Sequence, residues 1–432
     1  MTRQTVLPFK LKRTEERLTA RSGLALYAEF IQAMRVESLI DRHFPRPGSG
    51  RGFPASTYVL PLTLTQYGGG DAIDDVRELR DDQTLREAIG LRMIPTSAAI
   101  GDWLKRMGER DGIAALEQVN DELMRTVLKK DIRSGYTLII DPTIIESAKR
   151  DAHMTYLGFK GYRPVIATLK ETGLAISYEF KEGNDNSGKL ATVKKAFSKL
   201  PAGKKVEETL LDSEYYEADV IGYVDANCGR WAIGADKDKA VMSLIEALPE
   251  SSWRPYKTRK GDATDREIAE VLHTMQQGKV VFRLIVLRWR ERQGDLFTNT
   301  WCYHAIAAGM TDERTAESVV WSYNDRAHVE NHIKELKGGF GMEQMPSGDF
   351  GANAVYFGIG VMTYNLFLAQ KLLTMPEAWQ TKTIKSIRWM LVEVAGKLVR
   401  GSRRIVLQIA AGLEKYNAYC EIRRRTHELC GT

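Results

Sequence analysis

Three acidic residues stand where a carboxylate is either costly or purposeful. Asp141 lies inside YTLIIDPTII, the most apolar β-branched run of the chain, and Asp212 ends a second short run, ETLLDS. A lone ionised carboxylate in a buried strand is expensive, so Asp141 must be paired, capped or bound to a metal ion. If the two strands lie side by side, the carboxylates converge, and their repulsion either raises a pKa or recruits a divalent cation. A third oxygen donor can come from the segment YNDRAHVENHIKELK. At about 100° per residue, Tyr323, Arg326, Glu330, Lys334 and Lys337 share one side of such a helix. One acid among three cations and a phenol suits a metal ion together with phosphate. The cations neutralise phosphates while the acid completes the metal's ligand set. Asp325 and Glu335, each five residues from Glu330, point off that face and are poorer third donors.

A strand–helix alternation supplies the framework for these residues. Residues 1–110 read as helical, with apolar positions at helical spacing in LALYAEFIQAMRVESLI and AAIGDWLKRM. Pro95, Thr96 and Ser97 mark a helix start, and that helix is either the second of a helix-turn-helix or, more simply, a packing helix. From residue 136 the pattern becomes YTLIIDPTII, YRPVIATL and GLAISYEF, three strands with KETG as a hairpin turn between the last two. GKLATVKKAFSKL then reads as a helix, ETLLDS as a strand, EADVIGYVDAN as a helix and RWAIGAD as a strand. Between 237 and 318 charged loops surround two strand-like runs, VVFRLIVLRW and TWCYHAIAA, before one strong helix, SVVWSYNDRAHVENHIKELK. The expected architecture is an α/β domain interrupted by a β-rich insertion of about 80 residues, with helical N- and C-terminal regions.

At this point the sequence resembles the DDE transposases of bacterial insertion sequences (DDE domain group 1), in the branch with a Tyr-x2-Arg-x3-Glu-x6-Lys signature. Here that signature reads Tyr323, Arg326, Glu330, Lys337, with every spacing matched. The blocks DPTIIESAKR, YLGFKGYRP, LLDSEYY, IGADKD and GGFGMEQMPSGDFGANAVYFGIGVMTYNLF carry the resemblance over roughly residues 20–410. One departure is Ala327, where the branch has glycine after the arginine. The resemblance implies a ribonuclease H-like catalytic domain, residues 111–236 and 319–375, interrupted by the insertion at 237–318. It implies a DNA-end-binding region at 1–110 and a basic region at 376–432 for DNA binding or dimerisation.

The implied activity is cleavage of the element's ends and their joining to target DNA. Asp141, Asp212 and Glu330 would be catalytic and would hold two Mg²⁺ ions, with Mn²⁺ as a substitute and Asp141 as the bridge. Tyr323, Arg326, Lys334 and Lys337 would hold DNA phosphates. The implied partners are double-stranded DNA and a second copy of the chain in the synaptic complex, and the implied location is the bacterial cytoplasm at the nucleoid. A relative in this family stacks a flipped base on an insertion aromatic, which makes Trp253, Trp289 and Trp301 candidates, with ordinary packing the simpler role for each. Two other readings stay open: a non-catalytic DNA-binding derivative, and a ribonuclease H-like nuclease without strand transfer.

Composition excludes several other classes. The 432 residues carry a net charge of +6, but Lys382–Thr432 holds eleven basic residues against four acids, leaving the rest of the chain at −1. Such asymmetry points to a polyanion partner, with Arg423, Arg424 and Arg425 as its densest run. Cys228, Cys302, Cys420 and Cys430 form no C-x-x-C pair, which argues against a zinc ribbon or disulfide scaffold. His328 and His332 in H-V-E-N-H lack the glutamate a zinc protease needs directly after its first histidine; Val329 stands there. No phosphate-binding G-x-x-x-x-G-K-[ST] loop occurs, so no nucleotide cofactor is expected. No apolar run follows the basic N-terminus as a secretory leader would require. The uncharged stretch Phe350–Gln370 contains Asn353, Asn365 and Gln370, which favours a buried core helix over a membrane span.

Overall fold

The computed structural model describes residues 11–48, 50, 52–293, 296–401 and 404–430. Residues 1–10 of the expected helical region and Arg403 of the basic region lie outside the described residues. The N-terminal helices include α1 (Leu24–Ala33), α2 (Val36–His43), α3 (Ser56–Gly68), α4 (Ser97–Gly108) and α5 (Gly112–Lys130). Helix α4 starts where the sequence signals it, with the Thr96 hydroxyl accepting from the Ala99 amide at 3.2 Å. Its Ile100, Trp103, Leu104 and Met107 are buried, so one face of this helix packs into the core.

The central sheet has nine strands. In chain order they are β1 (Gly135–Pro142), β2 (Val165–Leu169), β3 (Ala175–Glu179), β4 (Lys205–Leu211), β5 (Arg230–Gly234), β6 (Arg254–Lys257), β7 (Ala263–Thr274), β8 (Val281–Gln293) and β9 (Leu296–Ala308). Their spatial order is β6-β7-β8-β9-β5-β4-β1-β2-β3. Strands β1, β4 and β5 run parallel, joined through α6 (Lys189–Ser198) and α7 (Ala218–Asn227), whereas β2 and β3 form antiparallel hairpin partners. Tyr136 through Ile140 of β1 are all buried, as a continuous apolar run demands of a strand covered on both faces.

Segment 237–318 contains more regular structure than its charge suggests. Strand β7 carries ATDREIAEVLHT, of which only Ile268 and Ala269 are buried, so a charged run that reads as loop is a strand. The segment is also continuous with the central sheet. Strand β9 pairs antiparallel with β5 through Ile306–Gly234, Ala307–Ile233 and Ala308–Ala232.

The single long helix expected over 318–337 divides into α8 (Ala316–Asn324) and α9 (Ala327–Gly339). At the junction Asp325 is drawn to Lys170 at 2.8 Å and Arg259 at 3.0 Å, while the Arg326 amide closes a tight turn onto the Tyr323 carbonyl at 3.0 Å.

Helix α10 (Phe350–Leu373) is buried along nearly its whole length and is keyed to its neighbours by polar side chains. Asn365 accepts from the Ala175 amide at 2.8 Å and donates to Ala175 O and Asn120 Oδ1 at 2.8 and 2.7 Å. Gln370 accepts from the Tyr67 hydroxyl at 2.9 Å, and Asn353 donates to the Tyr162 hydroxyl at 3.0 Å. Among the described residues this is the one helix long and apolar enough to cross a membrane, and protein surrounds it entirely.

The C-terminal residues fold back on the beginning of the chain. Strand Gly396–Arg400 pairs with Leu18–Thr19 and with Ile405–Ile409, and α11 (Leu413–Leu429) lies against α1. Here Arg423 pairs with Glu29 of α1 at 2.8 Å, Arg424 with Glu421 at 2.8 Å, and Arg425 with Glu421 at 2.6 Å. Arg424 and Arg425 therefore pair within α11, while Arg423 ties α11 to α1.

Helices α4 and α10 cross at bare backbone. A Cβ at Gly351 would lie 2.9 Å from backbone atoms of Gly108, closer than real side chains approach. Gly351→Ala should destabilise the protein by about 1–3 kcal/mol, read as a fall in melting temperature. Gly222→Ala is the control: it lies inside α7 with nothing within 4 Å, and should leave the transition unchanged or raise it.

Candidate active site

Adjacent parallel strands bring the two aspartates together. The register pairs Ile140 of β1 with Leu211 of β4, so Asp141 and Asp212, one residue further on, emerge side by side at the same sheet edge. Asp212 leaves the strand as the cap of a short turn, accepting from the Ser213 amide at 2.6 Å. Carboxyl ends of parallel strands are where open α/β sheets place their ligands.

Arg326 joins these two acids. Its Nη1 donates to Asp141 Oδ1 at 2.7 Å and lies 3.5 Å from Asp212 Oδ2. Tyr323 supports it from below, 6% exposed, with the guanidinium 5.7 Å from its ring centre. Gly234, ending β5, makes room for this phenol, since a Cβ there would fall 2.5 Å from the Tyr323 hydroxyl. Burial opposes the charge of Arg326, but Tyr323, Asp212 and Asp141 outweigh it and hold its pKa above the ordinary value.

Glu330 lies on the first turn of α9 and is exposed. A shallow groove of about 240 Å³ places it with Asp141, Thr143, Ile333, Lys334, Lys337 and Glu343. Lys337 donates to the Ile144 carbonyl at 2.6 Å, tying α9 to the chain that leaves β1, and its pKa is lowered by burial. Lys334 is exposed on the same groove. The predicted face is thus brought to one place: Tyr323 and Arg326 reach inward to the aspartates, while Glu330, Lys334 and Lys337 line the opening. Asp325 is engaged with Lys170 and Arg259, and Glu335 accepts from the Ile384 amide at 2.7 Å, so neither carboxylate faces the groove.

A model of the family described as transposase DDE domain group 1 matches residues 7–429. The chain belongs to that family. Among solved structures, this transposase-family chain is similar to piggyBac transposase in a synaptic complex with hairpin DNA, determined by cryo-EM, at 11% identity and a TM-score of 0.48, covering 86% of this chain and 79% of that one. No curated protein sequence matches it.

The cluster contains a fourth acid that sequence reasoning missed. Glu214, two residues past Asp212, is ion-paired with the buried Arg163. Its charge also acts on Asp141, and LLDSEYY offered it only by adjacency. Other residues singled out by sequence lie elsewhere. His332 turns its Nδ1 to the Tyr364 hydroxyl at 3.2 Å, and the His328 side chain lies outside the described residues. Trp253 and Trp301 sandwich the Arg288 guanidinium at 4.2 and 4.3 Å, and Arg266 covers Trp289 at 4.7 Å.

The electrostatics of the cluster are dominated by Asp141. Burial raises its pKa from 3.8 to about 6; Arg326 works against the rise, and Asp212, Glu330 and Glu214 add to it. Because the folded value lies above the unfolded one, this group's contribution to stability is full below pH 3.8 and is lost as pH rises through about 6. Ionised Asp141 should therefore cost the fold about 3 kcal/mol. Asp141→Asn is expected to melt at a higher temperature than wild type at pH 8 in EDTA, with the gap closing towards pH 5. A variant that melts lower at pH 8 would show that the Arg326 ion pair outweighs the burial penalty.

Proposed function

We propose that this chain cleaves the ends of its own insertion sequence and joins them to target DNA by phosphoryl transfer at Asp141, Asp212 and Glu330. The observation that carries the reading is the meeting of two strand-end aspartates at Arg326, with Glu330 lining one groove with Asp141. Family membership supports it, as does the order of the five strands from β3 to β5, three antiparallel and then two parallel, which fits a ribonuclease H-like sheet with segment 237–318 as its insertion. The donor set also fits the implied metal. Carboxylate oxygens gathered around a buried Asp141 suit hard divalent cations such as Mg²⁺ or Mn²⁺. Among the described residues no three acidic, histidine or cysteine side chains are drawn together into a ready-made ion site, and an ion held by all three carboxylates would need Glu330 nearer the aspartates.

Asp141, Asp212 and Glu330 would hold the ions, which when bound supply Lewis-acid stabilisation of the attacking and leaving oxygens of an in-line displacement. In the first step water attacks an end phosphodiester, breaking the bond to the 3′ oxygen and freeing a 3′-hydroxyl. That hydroxyl then attacks a target phosphodiester and takes the place of its leaving oxygen. Arg326 uses one nitrogen on the aspartates and keeps further N–H donors for a scissile-strand phosphate. Lys334 offers an exposed charge at the groove, Lys337 holds the loop after β1 and adds a second, and Tyr323 orients Arg326. The helices before residue 110 would grip the element's ends, and two copies of the chain would hold two ends together.

Glu330→Gln separates this reading from a structural one. It keeps side-chain size and removes one negative charge from the groove, so DNA binding should persist or tighten slightly. Cleavage and strand transfer should both fall by orders of magnitude, since one pocket serves both steps. Were Glu330 only a surface partner of Lys334, the loss would be about 0.3–0.5 kcal/mol of stability with activity nearly intact. Joined products on a gel distinguish a transposase from a nuclease that only cuts, and full cleavage in EDTA would overturn the metal-dependent mechanism.

A further inference from the structure

Between β1 and β2 the chain leaves the central sheet and builds a small one from Ile145–Glu146, His153–Met154 and Lys160–Tyr162. Its base is braced on several sides of the active site. Lys337 holds the Ile144 carbonyl, Arg163 pairs with Glu214 beside Asp212, and the Asp151 amide donates to Gly348 O at 3.2 Å. The tip is equally well determined. The amide and hydroxyl of Thr155 both donate to the Phe159 carbonyl at 2.8 Å, the Gly158 amide donates to Thr155 O at 3.1 Å, and Gly158 has φ +86°.

Tyr156 and Leu157 therefore occupy the two central positions of a tight turn. Those positions ordinarily hold Gly, Pro, Asn, Asp or Ser, whose local chemistry favours the bend. Here they hold two large side chains, 76% and 53% exposed, next to Met154 at 51%. Nothing else in the described chain covers them, and Lys149 and Lys160 are exposed on the same hairpin.

We propose that this turn is a wedge, which inserts Tyr156 and Leu157 between stacked base pairs of duplex DNA lying across the active-site groove. The proposal rests on the DNA-cleaving reading of that groove and adds how the duplex is gripped and deformed. Apolar side chains pushed into a base step unstack it and kink the duplex, and nearby cations hold the phosphates on either side. The shape favours DNA over a protein partner. Two side chains at the apex of a turn make a point, whereas a stable protein interface needs a face of about 800 Å² on each partner. The location agrees: the tip follows the Asp141 strand within the same connection, and two site residues, Lys337 and Glu214, pin its base.

The test uses the full-length protein in EDTA and a duplex spanning one boundary of the DNA element that encodes it, with 2-aminopurine placed in turn at each position near the junction. Wild type should raise the fluorescence at one or two adjacent positions. The double variant Tyr156→Ser, Leu157→Ser should abolish that rise and weaken binding about tenfold, with an unchanged melting temperature because both side chains are exposed. Tyr156→Phe should restore the signal, since the ring and not the hydroxyl is inserted. No rise with wild type at any position, or equal binding and signal in the double variant, would overturn the wedge. A double variant that loses only self-association, with binding and fluorescence intact, would assign the tip to a second copy of the chain and would overturn it too. Loss of cleavage in Glu330→Gln with the fluorescence rise retained supports wedge and active site together. A wild-type protein that gives the rise but never cuts in Mg²⁺ sinks the catalytic reading and leaves the wedge standing.

Discussion

Two carboxylates at neighbouring strand ends, one of them largely removed from bulk water, set the terms for everything around them. Burial makes Asp141 costly to ionise, and the neighbouring charge of Asp212 adds to that cost. The fold answers with one guanidinium, Arg326, within reach of both. That answer is partial, because burial still lifts Asp141 to about 6. A site that remains under-neutralised after its own arginine is satisfied is one that favours further positive charge. The same imbalance makes ionised Asp141 a burden to stability.

Holding Arg326 in place requires a long chain of support. The guanidinium reaches the aspartates because α8 and α9 break at Asp325, and Lys170 and Arg259 hold that break open. Helix α9 then leads into α10, which runs through the centre of the molecule. Buried Asn365 and Gln370 would each cost several kcal/mol without partners. Asn365, bonded to Ala175 and Asn120, and Gln370, whose side-chain oxygen accepts from Tyr67, select one register of α10 against the sheet and the N-terminal helices. Apolar packing alone would permit sliding along so uniform a helix. The polar keys do not.

The extension of the sheet past β5 gives the site a second boundary. Strands β6 to β9 continue the hydrogen-bonded ladder, so 237–318 is mechanically coupled to the strand that carries Gly234 beneath Tyr323. Arg259, from the loop between β6 and β7, reaches across to Asp325 at the helix break. Segment 237–318 and the edge that carries the aspartates are therefore linked by backbone pairing on one side and by an ion pair on the other.

Much of this was legible in the residues alone. Asp141 stood out because an acid inside a continuous apolar strand has few explanations, and the shared face of Glu330, Lys334 and Lys337 follows from helical spacing, whereas the break at Asp325 that separates Tyr323 from them does not. Strands β1 to β5 and their helices follow from local periodicity, which reports burial on one or both faces. Strand β7 escaped, because the consecutive charges Asp265, Arg266 and Glu267 break any period-two pattern and only Ile268 and Ala269 are buried to mark it. Glu214 escaped because adjacency to Asp212 does not say which way a side chain turns. Net charge likewise located a basic C-terminal segment but could not show that Arg423 meets Glu29 nearly the whole chain length away. What the tertiary structure alone decided is which charges meet. Periodicity is a property of neighbours in sequence, whereas an ion pair such as Arg326 with Asp141, 185 residues apart, exists only once β1 and the signature helix are packed at the same sheet edge.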